Sequence, residues 1–192
     1  LLRRMRMLGT GVNFHLGELL ATQGVVGEHA FHGKFQHLVG GMFQDFTGVR
    51  PTGWLTSGMR HTERTLGILA DEGFAWHGDA VNDDNPYPVQ INGKTMIIVP
   101  YKNAVSGLND TGMYRRGITA RDVFNSFKDE FDLLYEESAE EPKMLTLAMH
   151  CQMAFPATGK VYDDCINYAK SHPDLWFAKR CEIVDWVKKN CL

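Results

Sequence analysis

Gly27-Glu28-His29-Ala30-Phe31-His32-Gly33-Lys34-Phe35-Gln36-His37 is the stretch from which the rest of the chain is best read. It packs three histidines and a carboxylate together, the densest set of potential metal ligands and general bases in the sequence. Val25 and Val26 ahead of it and Gly33 after His32 predict a strand ending in a turn. That places His32 at the mouth of a sheet, where α/β folds carry their chemistry. On a strand His29 and His32 point to opposite faces, because successive side chains alternate. His32 and His37, separated by a turn, can converge, and neutral imidazole is a usual zinc ligand. Surface or core-satisfied histidines without a ligand role remain the alternative reading of the same spacing.

Working outward, 192 residues suffice for one domain with a sizeable core. A net charge of −3 offers no electrostatic footprint for nucleic acid. No apolar run approaches the ~20 residues of a membrane helix. The basic start, Arg3-Arg4-Met5-Arg6, is not followed by the apolar core and cleavage site of a secretion signal. Cys151, Cys165, Cys181 and Cys191 form no CxxC pair and read as free thiols of a reducing compartment. A cytoplasmic protein is expected, with no nucleic-acid or membrane partner.

In chain order, Arg3 to Leu8 reads as a helix tail ended by Gly9, and Val12 to Leu16 as a short strand. Gly17 to Thr22 follows as a brief helix or turn, and Val25 to Phe31 as the strand delivering His32. Leu38, Met42, Phe43 and Phe46 have helical spacing. Gly48 to Trp54 reads as a loop, since Gly and Pro punctuate it. Thr62 is the expected N-cap of a helix carrying Leu66, Leu69 and Ala70, stopped by Gly73. Phe74 to Trp76 then reads as a strand, and Asn82-Asp83-Asp84-Asn85-Pro86-Tyr87 as a loop. Asn92-Gly93 marks a hairpin between Val89–Ile91 and Thr95–Val99. Thr119 and Asp122 resemble a capping box, ahead of a helix through Val123, Phe127, Phe131 and Leu134. Met144 to Met149 reads as a buried strand reaching His150. Helices around Tyr162–Ala169 and Ile183–Val187 flank a strand at Leu175–Phe177. Strands alternating with helices predict an α/β domain.

Beyond the histidine stretch, three groups could carry chemistry. Asp83 and Asp84 could supply a base, a ligand or a substrate clamp, or could simply cap their own turn. His150, at the end of an apolar strand, is placed where a general acid would sit, although a lone histidine there is more often structural. Arg50 and Trp54 could offer a guanidinium and an aromatic wall to a polar substrate. The acids Glu136, Glu137, Glu140 and Glu141 read as a solvated helix end.

Glu28-His29-Ala30-Phe31-His32-Gly33, Arg50-Pro51-Thr52-Gly53-Trp54, Thr65-Leu66-Gly67-Ile68-Leu69 with Gly73-Phe74, Asn82-Asp83-Asp84-Asn85-Pro86-Tyr87, Val99-Pro100-Tyr101 with Leu108-Asn109-Asp110, Phe131-Asp132-Leu133-Leu134-Tyr135-Glu136 and Leu147-Ala148-Met149-His150 occur in this order. Together they resemble the polysaccharide deacetylase (NodB-homology) family, in particular its cytoplasmic branch with metal-independent allantoinase and other small-substrate amidases. The resemblance implies a distorted (β/α) barrel that hydrolyses a C–N amide bond, with residues 1–192 forming one N-terminally incomplete domain of this type. It implies His32, His150 and Asp83 as catalytic residues, and Arg50, Trp54, Asp84 and Tyr87 as substrate-binding residues.

Two departures from the family pattern qualify that expectation. The metal-binding members use a His-x-x-x-His pair, and the position four after His32 is Gln36, whose carboxamide is a poor zinc ligand. No Asp-Asp motif precedes His32, so the barrel is expected to lack its first strand. No cofactor is expected; zinc on His32 and His37 stays open, with an incomplete ligand set. An open barrel edge would favour homo-oligomers. The expected activity is hydrolysis of a small ureide such as allantoin, or of an N-acyl compound. The alternatives are a catalytically inert or fragmentary relative and a metal-dependent carbohydrate N-deacetylase.

Overall fold

A computed structural model describes residues 6–9 (backbone only), 41–55, 61–101, 117–149 and 155–192. The expected elements at Val12–Leu16, Gly17–Thr22 and Val25–Phe31 lie outside these residues. The described chain forms seven strands: β1 (Arg6–Gly9), β2 (Gly53–Trp54), β3 (Trp76–His77), β4 (Tyr87–Ile91), β5 (Lys94–Ile98), β6 (Met144–Thr146) and β7 (Leu175–Ala178). Its helices are α1 (residues 41–47), α2 (Thr65–Asp71), α3 (Ala120–Glu137), α4 (Pro156–Lys170) and α5 (Arg180–Asn190). The chain divides into two compact units that are interleaved in sequence.

One unit contains a three-stranded sheet of order β6-β1-β7, parallel throughout. Arg6–Gly9 is therefore a strand and not the helix tail its sequence suggests. Met7 is in register with Met144 on one side and with Trp176 on the other. A four-residue segment has little intrinsic preference to express, and two flanking strands decide its state by satisfying its backbone from both sides.

Against this sheet's elements, α3 and α4 supply the core. Thr119 begins α3 with the expected capping box: its hydroxyl accepts from the Asp122 backbone N–H, and the Asp122 carboxylate accepts from the Thr119 backbone N–H. The Thr119 hydroxyl also donates to the Asp122 carboxylate at 2.6 Å, and this bond, with the one from the Thr119 backbone N–H, holds the Asp122 carboxyl below its ordinary value. Val123, Phe127 and Phe131, spaced at helical intervals, are buried with Leu145, Leu147, Val161, Tyr162 and Cys165. Phe131, Tyr135, Tyr168 and His172 pack ring against ring, with His172 at 4.9 Å from each of the other three. The buried Tyr162 hydroxyl donates to the Ala148 carbonyl, tying α4 to the segment just ahead of His150.

The other unit holds a four-stranded sheet of order β2-β3-β5-β4, in which only the β4–β5 pair is antiparallel. The β4–β5 hairpin turns on Asn92 (φ 50°) and Gly93 (φ 72°), the left-handed pair that a two-residue type I′ turn requires. Helix α2 starts two residues later than the sequence suggests, with Arg64 rather than Thr62 at the cap position. Thr62 is not its cap; it forms a turn whose carbonyl accepts from Thr65 N–H at 3.0 Å, and the residue at the cap position, Arg64, makes no side-chain cap bond. The predicted stop does hold. Gly73 at φ 82° donates to the Ala70 carbonyl and Phe74 to the Leu69 carbonyl, the paired bonds of a Schellman motif.

Burial and the nearby Asp164 charge push the Cys165 thiol up to about 12, whereas Cys181 and Cys191 are exposed. Since the thiolate is the reactive form, alkylation near pH 8 should label Cys181 and Cys191 in the native protein, and Cys165 only after denaturation. Peptide mapping of the labelled sites checks this. Tyr162→Phe leaves the Ala148 carbonyl without that donor and should lower stability by about 1 kcal/mol in urea unfolding.

Candidate functional site

The cluster richest in chemistry among the described residues is built on β3 and the turn before α2. Parallel pairing puts Gly53 in register with Trp76, and Trp54 in register with His77. A Cβ at position 53 would fall inside the Trp76 indole, so the glycine of Arg50-Pro51-Thr52-Gly53-Trp54 is what lets β3 lie against β2. His77 and Asp79 are two residues apart in extended chain, which turns them to one face. His77 Nε2 lies 3.3 Å from Asp79 Oδ2. His61, in the turn leading to α2, brings its Nδ1 to 3.7 Å from the same oxygen. The two imidazole rings meet edge to face at 5.4 Å.

Burial is graded across this cluster. The side chain of Asp79 has 0% of its surface exposed and that of His77 3%, while that of His61 is 44% exposed. His77 Nε2 makes no hydrogen bond among the described residues, despite its approach to Asp79. The cluster lies at the C-terminal ends of two parallel strands, where strand backbone gives way to loop and side chains can converge.

Arg50 and Trp54, expected to bind substrate, belong to this unit and are partly buried. Arg50 Nη2 donates to the Glu72 backbone carbonyl at 3.1 Å and to its carboxylate at 3.2 Å, closing the C-terminal end of α2. Lys94 Nζ similarly reaches the Ala70 carbonyl at 2.9 Å. Trp54 packs edge to face on Phe74 at 5.7 Å, and its buried Nε1 has no hydrogen-bond partner among the described residues. Gly53 and Trp54 form β2, so the segment read as a loop ends in a strand.

Asp83 and Asp84 belong to the other unit. Asp83 is exposed, and its Oδ1 accepts from Asn85 N–H at 3.0 Å, the Asx turn that its sequence allowed. Asp84 is half-buried. Tyr87 is half-buried at the start of β4, in register with Ile98. His32, His37 and His150 lie outside the described residues. The sequence reading overlooked His61, His77 and Asp79. The one available signal was the His77-Gly78-Asp79 spacing at the end of a short strand; nothing local marks His61 as its partner.

No protein-family profile matches the chain. A Schizosaccharomyces pombe protein assigned to the polysaccharide deacetylases is 29% identical over 157 residues, which is 73% of this chain and 48% of that protein. Among solved structures, Puue allantoinase superposes with a TM-score of 0.76 at 31% identity, covering 86% of this chain and 56% of its own. A structure assigned to the polysaccharide deacetylases, from Pseudomonas aeruginosa PAO1, gives 0.77 at 31% identity over the same shares. Another so assigned, from Mycobacterium smegmatis, matches at 0.70 with 16% identity, a likeness of fold. The chain thus has the α/β fold of the polysaccharide deacetylases and is similar to them in sequence. An allantoinase stands among these structural relatives, as the ordered motifs implied. The chain spans about half the length of the curated relative it matches, 48%.

Gly53→Ala should disrupt the β2–β3 pairing, since the added methyl has no room beside Trp76. A loss at the upper end of the ~1–3 kcal/mol typical of overpacking is expected, read from denaturant unfolding. Val49→Ala, at an exposed position nearby in sequence, should leave stability unchanged and serves as the control.

Proposed function

We propose that the chain is a hydrolase of non-peptide C–N amide bonds, acting on a small ureide such as allantoin or on an N-acyl compound. The observation that carries this reading is the 31% identity to Puue allantoinase across 86% of this chain, at a TM-score of 0.76. The ordered motifs from Glu28 to His150 support the same reading. The distorted (β/α) barrel that the motifs imply is part of the proposal, as are a small-molecule substrate and a cytoplasmic location. Among the described residues no helix is long and apolar enough to cross a membrane.

Amide hydrolysis needs a base to activate water, donors for the oxygen that becomes negative, and an acid to protonate the departing nitrogen. In this reading His32 and His150 move protons, with His150 giving one to the leaving nitrogen. Asp83, Asp84 and Tyr87 position the substrate. Trp54 supplies an apolar wall and an indole N–H that could donate to a substrate carbonyl, its Nε1 having no other partner among the described residues. Arg50 holds an anionic or carbonyl group with the guanidinium nitrogens not engaged by Glu72. Where metal-binding relatives have a second histidine, Gln36 stands here. A carboxamide is a weak ligand, that donor set does not fit a zinc ion, and no step is assigned to one there.

Purified chain should turn over allantoin in preference to an N-acetylated chito-oligosaccharide. His150→Ala should lower kcat by roughly 10²- to 10⁴-fold, the usual contribution of a general acid, with a smaller effect on KM. Turnover of the chito-oligosaccharide alone would replace the ureide reading with carbohydrate N-deacetylation. Absence of turnover of either by folded protein, or indifference to His150→Ala, would overturn the reading.

A further inference from the structure

We propose that His61, His77 and Asp79 form a binding site for a divalent transition-metal ion, zinc by preference, separate from the histidines of the sequence motifs. The inference stands on the geometry of this cluster and does not depend on which reaction the chain performs.

Three potential ligand atoms, one from each residue, lie within 4.8 Å of one another. Zinc holds nitrogen and oxygen ligands at ~2.0–2.2 Å in a tetrahedron, which sets neighbouring ligand atoms about 3.4 Å apart. The two approaches to Asp79 Oδ2, 3.3 Å from His77 and 3.7 Å from His61, straddle that spacing. Three such ligands make one face of a tetrahedron and leave the fourth position for water.

Electrostatics point the same way. A carboxylate with no exposed side-chain surface is costly to bury unless cations or hydrogen-bond donors face it. His77 Nε2 is buried at hydrogen-bonding distance from that carboxylate, yet its geometry there makes no hydrogen bond. A cation between them would give the His77 nitrogen a partner and balance the buried Asp79 charge. His61, 44% exposed, gives the ion a way in from solvent and can adjust its arm without disturbing the core. Two imidazoles and a single carboxylate suit zinc, whereas magnesium and calcium take mostly oxygen ligands.

The test uses the full chain, stripped with a chelator and titrated with zinc by calorimetry, with Co²⁺ as a spectroscopic stand-in. One zinc per chain and the intense visible absorption of four-coordinate Co²⁺ are expected. His61→Ala, at an exposed position, should weaken zinc binding roughly 100-fold or more and abolish that absorption, because loss of a ligand exceeds the effect of losing its supporting contacts. Asp79→Asn, nearly isosteric, should do the same. If Asp79→Asn fails to fold, His61→Ala decides alone. Folded wild-type chain without stoichiometric zinc would overturn the proposal. So would zinc affinity and a Co²⁺ spectrum unchanged by His61→Ala, which would put the ion on other residues. Both readouts are independent of turnover, so an inactive chain that binds zinc separates this inference from the proposed reaction.

Discussion

Residue 53 has no side chain, and the Trp76 indole occupies the place where one would be. That steric fact governs the second sheet. Because β2 can approach, β3 gains a parallel neighbour on each side, with β5 on the other. The backbone of so short a strand is then held from both edges: Gly78 N–H reaches the Trp54 carbonyl at 2.9 Å, and Val99 N–H reaches the His77 carbonyl at 2.9 Å. A two-residue strand has almost no preference of its own, so its direction is set by these neighbours. The direction matters because it fixes which face His77 and Asp79 share. An arginine-proline-glycine motif that invites a pocket reading therefore does its first work as strand pairing, with Arg50 closing the end of α2 through Glu72.

In the other unit the equivalent support is aromatic. Phe131 meets Tyr135 at 5.6 Å and Tyr168 at 5.6 Å, and His172 fills the space they leave. Ring pairs of this kind add to simple area burial, and they couple α3 to α4 over several turns. Below them Phe127 and Cys165 have no exposed surface, so the helices close over the sheet without a gap at that level. Tyr162 carries the rigidity onward, since its hydroxyl fixes a carbonyl two residues before His150. Position along the strand is thus inherited from helix packing and not from the loop that follows.

Where local chemistry suffices, the sequence was legible. Asn92-Gly93 permits the positive φ angles of its hairpin turn, Gly73 permits the left-handed stop of α2, and Thr119 with Asp122 satisfies the first donors of α3. Each of these is decided within a few residues. Arg6–Gly9 was misread because its state is decided by partners more than 130 positions away, among them Met144 and Trp176. Thr62 was misread because a threonine ahead of a helix serves a turn as readily as a cap, and its hydrogen bonds to Thr65 chose the turn. The motif residues could be found in order, since the resemblance is linear. The His61–His77–Asp79 cluster could not, because its third member arrives from a separate turn and only the fold supplies the convergence.

Parallel strands explain why chemistry gathers where it does in this chain. In a parallel sheet every strand ends on the same side, so the loops leaving β3 and β6 each begin where backbone hydrogen bonding stops. Polar side chains placed there cost the sheet nothing, because no ladder position is lost to them. They are still partly walled by the apolar residues of the strands below, which lowers the local dielectric and strengthens their interactions. Asp79 shows the consequence: two residues beyond the ladder it is fully enclosed, as deep as core residues such as Leu69 and Ile97. A carboxylate at that depth cannot be left to water, so its neighbours must carry the balancing charge or donors. Two imidazoles are suited to that demand, since each can present a proton or a lone pair.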